Sequence, residues 1–208
     1  TNLLLDKTDL NDEDKEAFRK HMGVEGDMVV ANSIYAAGSI IDQAREFSKI
    51  LDMPVSEIEE ILEDTYLDYV KGHGEHVLVM DGAMNALEAL KDDYILAVVT
   101  NDNRRIAEET LKLANIDQYF EFVGGADDFG PKPNPTALHE IARRYDIRLD
   151  EMIYVGDSTV DMEYGKHTHA SIGLATEESH REHLKEADYI ISHFDELLDT
   201  LDIINAAQ

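Results

Sequence analysis

The sequence contains no cysteine. Disulfide bonds, thiolate metal sites and cysteine nucleophiles are therefore excluded, and so is a secreted protein stabilised by disulfides. Basic residues are also scarce, since 18 Lys and Arg stand against 45 Asp and Glu for a formal charge of -27. Such a surface repels phosphate backbones and anionic lipid, so nucleic acid and membrane partners are not expected. The same acid excess fits adaptation to high salt, but it also fits a mesophilic protein, many of which are acidic.

Long apolar runs are missing as well. No segment approaches the ~18–20 apolar residues of a membrane helix, and the first residues lack the basic and apolar segments of a signal peptide. We therefore expect a cytoplasmic protein, although a trimmed N-terminus is open because the sequence does not start with Met. A chain of 208 residues, 43% of them hydrophobic, suffices for one domain with an insertion. Monomer and homodimer are both open.

The first third of the chain is predicted to be mainly helical. Residues 3–6 predict a short buried strand that ends in an acid. Three helical patterns follow, at 11–22, 28–50 and 55–71, each with apolar residues at helical spacing. We therefore interpret residues 11–76 as an all-helical cap domain.

From residue 77 onward, predicted strands and helices alternate. The apolar runs at 95–99 and 152–155 are typical of strands that are covered on both faces. The sequence therefore predicts an α/β fold, a doubly wound parallel sheet formed by residues 1–10 and 77–208, into which the cap is inserted. The strands in this part are predicted at 94–100, 119–123, 152–156, 170–174 and 188–191, and one of the helices at 178–186.

Polar residues follow several of these strands. Ligands of doubly wound sheets bind beyond the carboxyl ends of the strands, where these loops meet. Asp157 and Asp161 follow a glycine turn, and with Asp6 they would bring three carboxylates to one point. Mg²⁺ prefers such oxygen ligands together with water and a substrate phosphate. Thr100 and Asn101 can offer a hydroxyl and an amide to an anion, but a Thr-Asn-Asp run is equally typical of a helix N-cap.

Lys132 lies in the proline-rich segment 130–135. Prolines restrict the backbone and thereby fix the direction of the lysine side chain. A cation held there can neutralise both an aspartate and a bound phosphate.

Two pairs of histidines stand out, His167 with His169 and His180 with His183. Either spacing fits a transition metal. No acid or thiol clearly completes a site in the sequence, so we interpret these histidines as surface residues.

The segments 96–101, 132–135 and 154–162 together resemble the haloacid dehalogenase-like (HAD) superfamily of hydrolases, in particular its phosphoglycolate phosphatase-like branch with a helical cap. The order and spacing of the segments carry this resemblance. It implies a Mg²⁺-dependent phosphatase that acts on a small phosphorylated metabolite, such as phosphoglycolate, through an aspartyl-phosphate intermediate.

The resemblance, together with the chemistry of the side chains, assigns roles to seven residues. Asp6 would attack phosphorus, and Lys132 would lower its pKa while holding a phosphoryl oxygen. The catalytic residues are predicted to be Asp6, Thr8, Thr100 and Lys132; the substrate-binding residues Thr100, Asn101 and Lys132; and the Mg²⁺ ligands Asp6, Thr8, Asp157 and Asp161.

Thr8 departs from the family pattern, which has a second aspartate at this position, followed by Gly-Thr. That aspartate serves as general acid and base. Here Asp9 and Leu10 follow Thr8, and the Asp6-Lys7-Thr8 segment resembles the phosphorylation motif of P-type ion pumps. An alternative is therefore a phosphate-binding or scaffold protein with impaired turnover, and a third is a related phosphotransferase or dehalogenase.

Overall fold

The structure is a computed structural model that describes residues 2–206. Its first part is mostly helical, and its core contains Met22, Ile40, Phe47 and Ile58. No helix within the described range combines the length and apolar character needed to cross a membrane. The elements of this part are α1 (Asn2–Leu5), α2 (Asp12–Met22), β1 (Val24–Glu25), β2 (Met28–Val29), α3 (Ile34–Ala37), α4 (Ile40–Phe47) and α5 (Val55–Gly72).

The second part alternates helices and strands, as the sequence predicts. Its strand β6 is buried along its whole length, which places the centre of this core on β6. The elements are α6 (Ala83–Leu90), β3 (Ala97–Val99), α7 (Arg104–Leu113), β4 (Phe122–Gly124), α8 (Ala126–Phe129), α9 (Thr136–Tyr145), β5 (Ile153–Gly156), α10 (Thr159–Gly165), β6 (Ala170–Leu174), β7 (Tyr189–Ile191) and α11 (Leu197–Ala206).

The strand predicted at residues 3–6 is wrong, because this segment forms helix α1. Leu4 and Leu5 are buried in the same cluster as Phe47 and Ile58 of the helical part. Leucine has a high intrinsic helix propensity, and an apolar run this short does not distinguish a buried strand from a buried helix. Asp6 therefore follows a helix and does not end a strand.

The single helix predicted over 28–50 is also wrong, and the region is not all-helical. A turn at Gly26, whose φ is 60°, closes the hairpin of β1 and β2. Further along, Ser39 starts helix α4 with a capping box, in which its hydroxyl accepts from the Asp42 amide and its own amide donates to the Asp42 carboxylate. Such a cap begins a new helix, so the apolar spacing belongs to two short helices.

The helix predicted over 178–186 is only a short 3₁₀ turn at Glu178–His180. The amides that follow the turn also bond three residues back, from His183 to the His180 carbonyl and from Leu184 to the Arg181 carbonyl. Leu184 is the one buried side chain of this segment. An α-helix packs through several apolar residues on one face, and one buried leucine does not provide such a face.

The parallel sheet consists of two pieces. β3 pairs with β4, and β5, β6 and β7 pair in that order, all in parallel register. Between residues 2 and 206, no strand pairing joins β3 to β5. The two strands are nevertheless neighbours, since Leu96 packs in one cluster with Val155 and Val99 packs in another with Tyr154. The predicted α/β class is confirmed, whereas the continuous sheet is not observed.

Candidate active site

A cleft of about 200 Å³ lies at the carboxyl ends of β3 and β5. The helical part covers it with residues 35–38, at α3. This is the edge of the sheet where the sequence places the site. The sheet side of the cleft is formed by Thr100, Asn101, Asp102, Lys132, Asp157, Ser158 and Asp161.

Lys132 and Asp161 form a largely buried ion pair at the base of the cleft. The Lys132 ammonium lies 2.7 Å from Oδ1 of Asp161, and the two side chains are 13% and 5% exposed. The Tyr154 hydroxyl donates to the same carboxylate oxygen at 2.8 Å and lies 3.2 Å from the Lys132 ammonium. Three polar groups thus hold one another in one geometry, as buried charges require.

The second oxygen of Asp161 is also fully engaged. It accepts from the Ser158 amide at 3.0 Å, from the Ser158 hydroxyl at 2.7 Å and from the Asp157 amide at 3.2 Å. These bonds require the backbone to pass close to Asp161. Gly156 makes this passage possible, because a Cβ there would lie 2.4 Å from the Asp161 Cβ. The Gly-Asp turn of the sequence is therefore a packing requirement.

The two aspartates of this loop differ in their protonation chemistry. Burial raises the pKa of Asp161, but the charge of Lys132 and the bonds from Lys132, Ser158 and Tyr154 lower it by more, so its net pKa lies below the usual value. The pKa of Asp157 is raised, first by burial and then by the charge of Asp161. Asp161 is thus held as an anion, whereas a backbone hydrogen bond and the charge of Lys132 only partly offset the raised pKa of Asp157.

Asp157 and Asp102 bring further negative charge to the cleft. Among residues 2–206, no Lys or Arg forms an ion pair with either carboxylate. Although part of Asp102 reaches solvent, the surrounding cleft displaces water and raises its pKa, an effect that the charge of Lys132 and the Thr100 hydroxyl only partly offset. These two carboxylates are available to a ligand.

Thr100 and Asn101 lie together in the cleft but differ in their engagement. The Thr100 hydroxyl oxygen accepts from the Asp102 amide at 3.1 Å, and a hydrogen bond between the hydroxyl and the Asp102 side chain lowers the pKa of that carboxyl. The Asn101 side chain is used at both ends, since its Nδ2 donates to the Ala37 carbonyl at 2.6 Å and its Oδ1 accepts from the Lys132 amide at 2.7 Å. In this structure Asn101 therefore joins the Lys132 loop to the helical part.

Asp6 and Thr8 are not brought to the cleft. The Asp6 side chain is 77% exposed, and its carboxylate lies 3.8 Å from the Lys15 ammonium. The Thr8 hydroxyl donates to the Leu5 carbonyl at 2.7 Å, a bond that closes the end of α1. The structure thus gathers five of the seven predicted site residues, and Asp6 and Thr8 lie elsewhere.

The sequence assigns no role to Asp102 and Ser158, which line the cleft, or to Tyr154, which lies behind it and bonds Lys132 and Asp161. By pattern, Tyr154 belongs to an apolar strand and the other two to loops. Tyr154 carried a usable signal, because a tyrosine in an otherwise apolar strand needs a buried partner for its hydroxyl. Ser158 carried another, since Ser158 and Asp161 have the spacing of a capping box, which α10 uses.

The residues of the cleft fit Mg²⁺ only in part. In the described chain, no three acidic or histidine side chains are gathered in the arrangement of a metal centre. Asp161 is already saturated by protein donors, whereas the Asp157 carboxylate bonds to no cation. Mg²⁺ is commonly bound by one or two carboxylates plus water and substrate phosphate. Asp157 fits such a site, and Asp161 fits a positioning role beside it.

Several known proteins are similar to this chain in sequence. The chain is 26% identical over 191 residues to a phosphoglycolate phosphatase of Vibrio parahaemolyticus. The matched region covers 90% of this chain and 80% of that protein. It is 35% identical over 112 residues to a phosphoglycolate phosphatase of Vibrio vulnificus, and that match covers 52% of this chain and only 49% of that protein.

The fold is likewise similar to that of a β-phosphoglucomutase from Clostridium difficile. The TM-score is 0.69 at 15% identity, over 98% of this chain and 87% of that one. The model of the haloacid dehalogenase-like hydrolase family matches residues 1–175. Because this match covers far more than half of the chain, the protein belongs to the haloacid dehalogenase-like hydrolase family, as the order of its motifs predicts.

Proposed function

We propose that this protein is a Mg²⁺-dependent phosphatase that hydrolyses the phosphate monoester of a small metabolite, with phosphoglycolate as the first substrate to test. The observation that carries the proposal is the Lys132 ammonium, fixed by Asp161 and Tyr154 in a cleft that also contains the Thr100 hydroxyl. Phosphoryl transfer depends on positioning and on charge neutralisation, which these groups supply. A cleft of about 200 Å³ suits a small ester.

Each residue of the cleft has a distinct part in this proposal. Lys132 and Thr100 bind the phosphoryl oxygens, and Asp161 positions Lys132. Asp157 holds Mg²⁺ together with water and the substrate phosphate. When bound, Mg²⁺ neutralises charge on the phosphoryl group.

The aspartyl-phosphate step stays a prediction, with Asp6 as the group that would accept the phosphoryl. Asp6 lies on the surface beside Lys15 in this structure, so the step requires Asp6 to reach the cleft. This position favours a second candidate function, a phosphate-binding protein of the same family that does not turn over its ligand.

A phosphate-release assay over small phosphate esters, with and without Mg²⁺, separates the two candidates. A phosphatase releases phosphate from at least one ester in the presence of Mg²⁺. Thr100→Val, which removes a donor and keeps the shape, should lower kcat/KM about 10-fold or more, because a hydrogen bond to a charged group is lost. The matched control is Thr110→Val, since the Thr110 hydroxyl donates to the Ile106 carbonyl of its own helix and has no other partner among residues 2–206.

Failure of release does not end the experiment, because binding is measured on the same protein. Calorimetry with inorganic phosphate and Mg²⁺ should show binding in either case, and Thr100→Val should weaken it. Binding without release of phosphate from any ester supports the second candidate. Absence of both contradicts the two proposals together.

A further inference from the structure

A second cavity of about 120 Å³ adjoins the cleft. We call it the side cavity. The two cavities share Ala36, Ala37, Asp157 and Ser158 as lining residues, so a ligand that fills the cleft meets the entrance of the side cavity. The three polar residues that line only the side cavity are Asn32, His180 and His183.

The side cavity offers hydrogen-bond donors that the protein itself leaves largely unused. Within residues 2–206, the His183 ring makes no hydrogen bond to the protein, and the residue is exposed at the mouth of the cavity. The Asn32 Oδ1 accepts from the Thr159 amide at 3.1 Å and from its hydroxyl at 3.2 Å, which orients the Nδ2 donors away from this contact. His180 has weak contacts, 3.4 Å from the Thr176 hydroxyl and 3.9 Å from the Glu177 carboxylate.

Unused donors in a small cavity are complementary to an acceptor on the ligand. The other residues that line the side cavity are the alanines at 31, 36 and 37 together with Asp157 and Ser158. Three carboxylates lie near the donors, Asp157 on the shared wall, Glu177 beside His180 and Glu182 near His183, and Glu177 is 72% exposed to solvent. A carboxylate gains charge-assisted hydrogen bonds from several donors at once, and these are about twice as strong as neutral ones.

We propose that Asn32, His180 and His183 form a leaving-group subsite that binds the carboxylate of a short phosphorylated hydroxy acid. The phosphate lies at Lys132 and Thr100, and the carboxylate reaches past α3 into the side cavity. The small volume suits a short leaving group. This inference rests on the proposed function, and it assigns specificity to histidines that the sequence alone indicated as surface residues.

Two probes that differ only in the leaving group test the subsite. 2-Phosphoglycolate carries the carboxylate, and 2-hydroxyethyl phosphate carries an uncharged hydroxymethyl group in its place. His183→Ala should lower kcat/KM for 2-phosphoglycolate about 10- to 100-fold, the range for a lost hydrogen bond to a charged group, and leave 2-hydroxyethyl phosphate within about twofold. His183→Gln, which keeps a donor, should restore much of the loss. His139→Ala is the control, since His139 is exposed on α9 outside both cavities.

A second readout does not depend on turnover. In the full chain with labelled histidine, NMR should show that 2-phosphoglycolate shifts the ring signals of His180 and His183, while inorganic phosphate and 2-hydroxyethyl phosphate shift them much less. This result supports the subsite even if no ester is hydrolysed, in which case only the proposed function fails. Equal shifts with all three probes, no shift with any, or a His183→Ala loss that is equal for both esters would overturn the inference.

Discussion

The two sides of the cleft differ in how their polar groups are used. On one side, Lys132, Tyr154 and Asp161 bond to one another, and Asp161 has no acceptor position left for a ligand. On the other side, Asp102 and Asp157 have raised pKa values and no cationic partner among the described residues. Asp161 and Asp157 are only four positions apart in the chain. One is fully bonded within the protein and stabilises the fold, whereas the other is available to a ligand.

Asp161→Asn should disrupt the bonded network of Lys132, Tyr154 and Asp161 and give the largest loss of stability. The substitution removes the charge that compensates the buried Lys132 ammonium, and breaking such a pair typically costs about 3–5 kcal/mol. Denaturant unfolding of the variant measures this change in the free energy of unfolding. Asp150→Asn is the matched control, because Asp150 pairs with Arg148 at the surface, where solvent screens the interaction and the substitution should change stability little. Equal effects of the two substitutions would contradict the distinction.

Tyr154→Phe should weaken the same network and lower the free energy of unfolding by less. The variant keeps the aromatic ring and loses the hydroxyl that bonds Asp161 and Lys132, which should cost about 1.5–3 kcal/mol because both partners are charged. Tyr145→Phe is the control, since the Tyr145 hydroxyl donates to the neutral Glu121 carbonyl near the surface. Unfolding curves of both variants give the comparison. A larger loss in the control would mean that the buried network contributes little.

Asp157→Asn should have the smallest effect on stability and a specific effect on Mg²⁺. Burial and the charge of Asp161 both disfavour the Asp157 anion, so its removal should leave the free energy of unfolding unchanged or slightly raised. A ligand that binds only the folded state raises the melting temperature, and the variant should lose this increase with Mg²⁺. Melting curves with and without Mg²⁺ show both results. An unchanged Mg²⁺ effect would remove Asp157 from the metal site.

The sequence predicted the sheet side of the site well for a physical reason. Thr100, Lys132, Asp157 and Asp161 lie in loops directly after or beside strands, and parallel strands bring such loops to one edge. The structure gathers them in one cleft. The hydrogen-bond partners of these side chains could not be predicted, because some are distant in sequence. Asn101, for example, donates to the carbonyl of Ala37, 64 positions away.

The helical part was predicted less well, and the errors have a common cause. Leu4 and Leu5 are equally suited to a strand or a helix, and the choice depends on the distant residues that bury them, such as Ile58. The hairpin of β1 and β2 has only two residues in each strand, too few for an alternating pattern. The position of Asp6 depends on these same elements. The prediction that Asp6 ends a strand is wrong for this reason.

The division of the sheet affects how the protein behaves in concentrated solution. β4 and β7 are the outer edges of the two pieces, and β3 and β5, which pack side by side without a strand pairing, have unpaired edges between them. Edge strands present unpaired amides and carbonyls on which another chain can add a strand, which is a route to aggregation. A net charge of -27 opposes this association, because copies of the chain repel one another. The acidic surface thus protects a sheet with open edges, and molar salt, by screening the charge, weakens that protection.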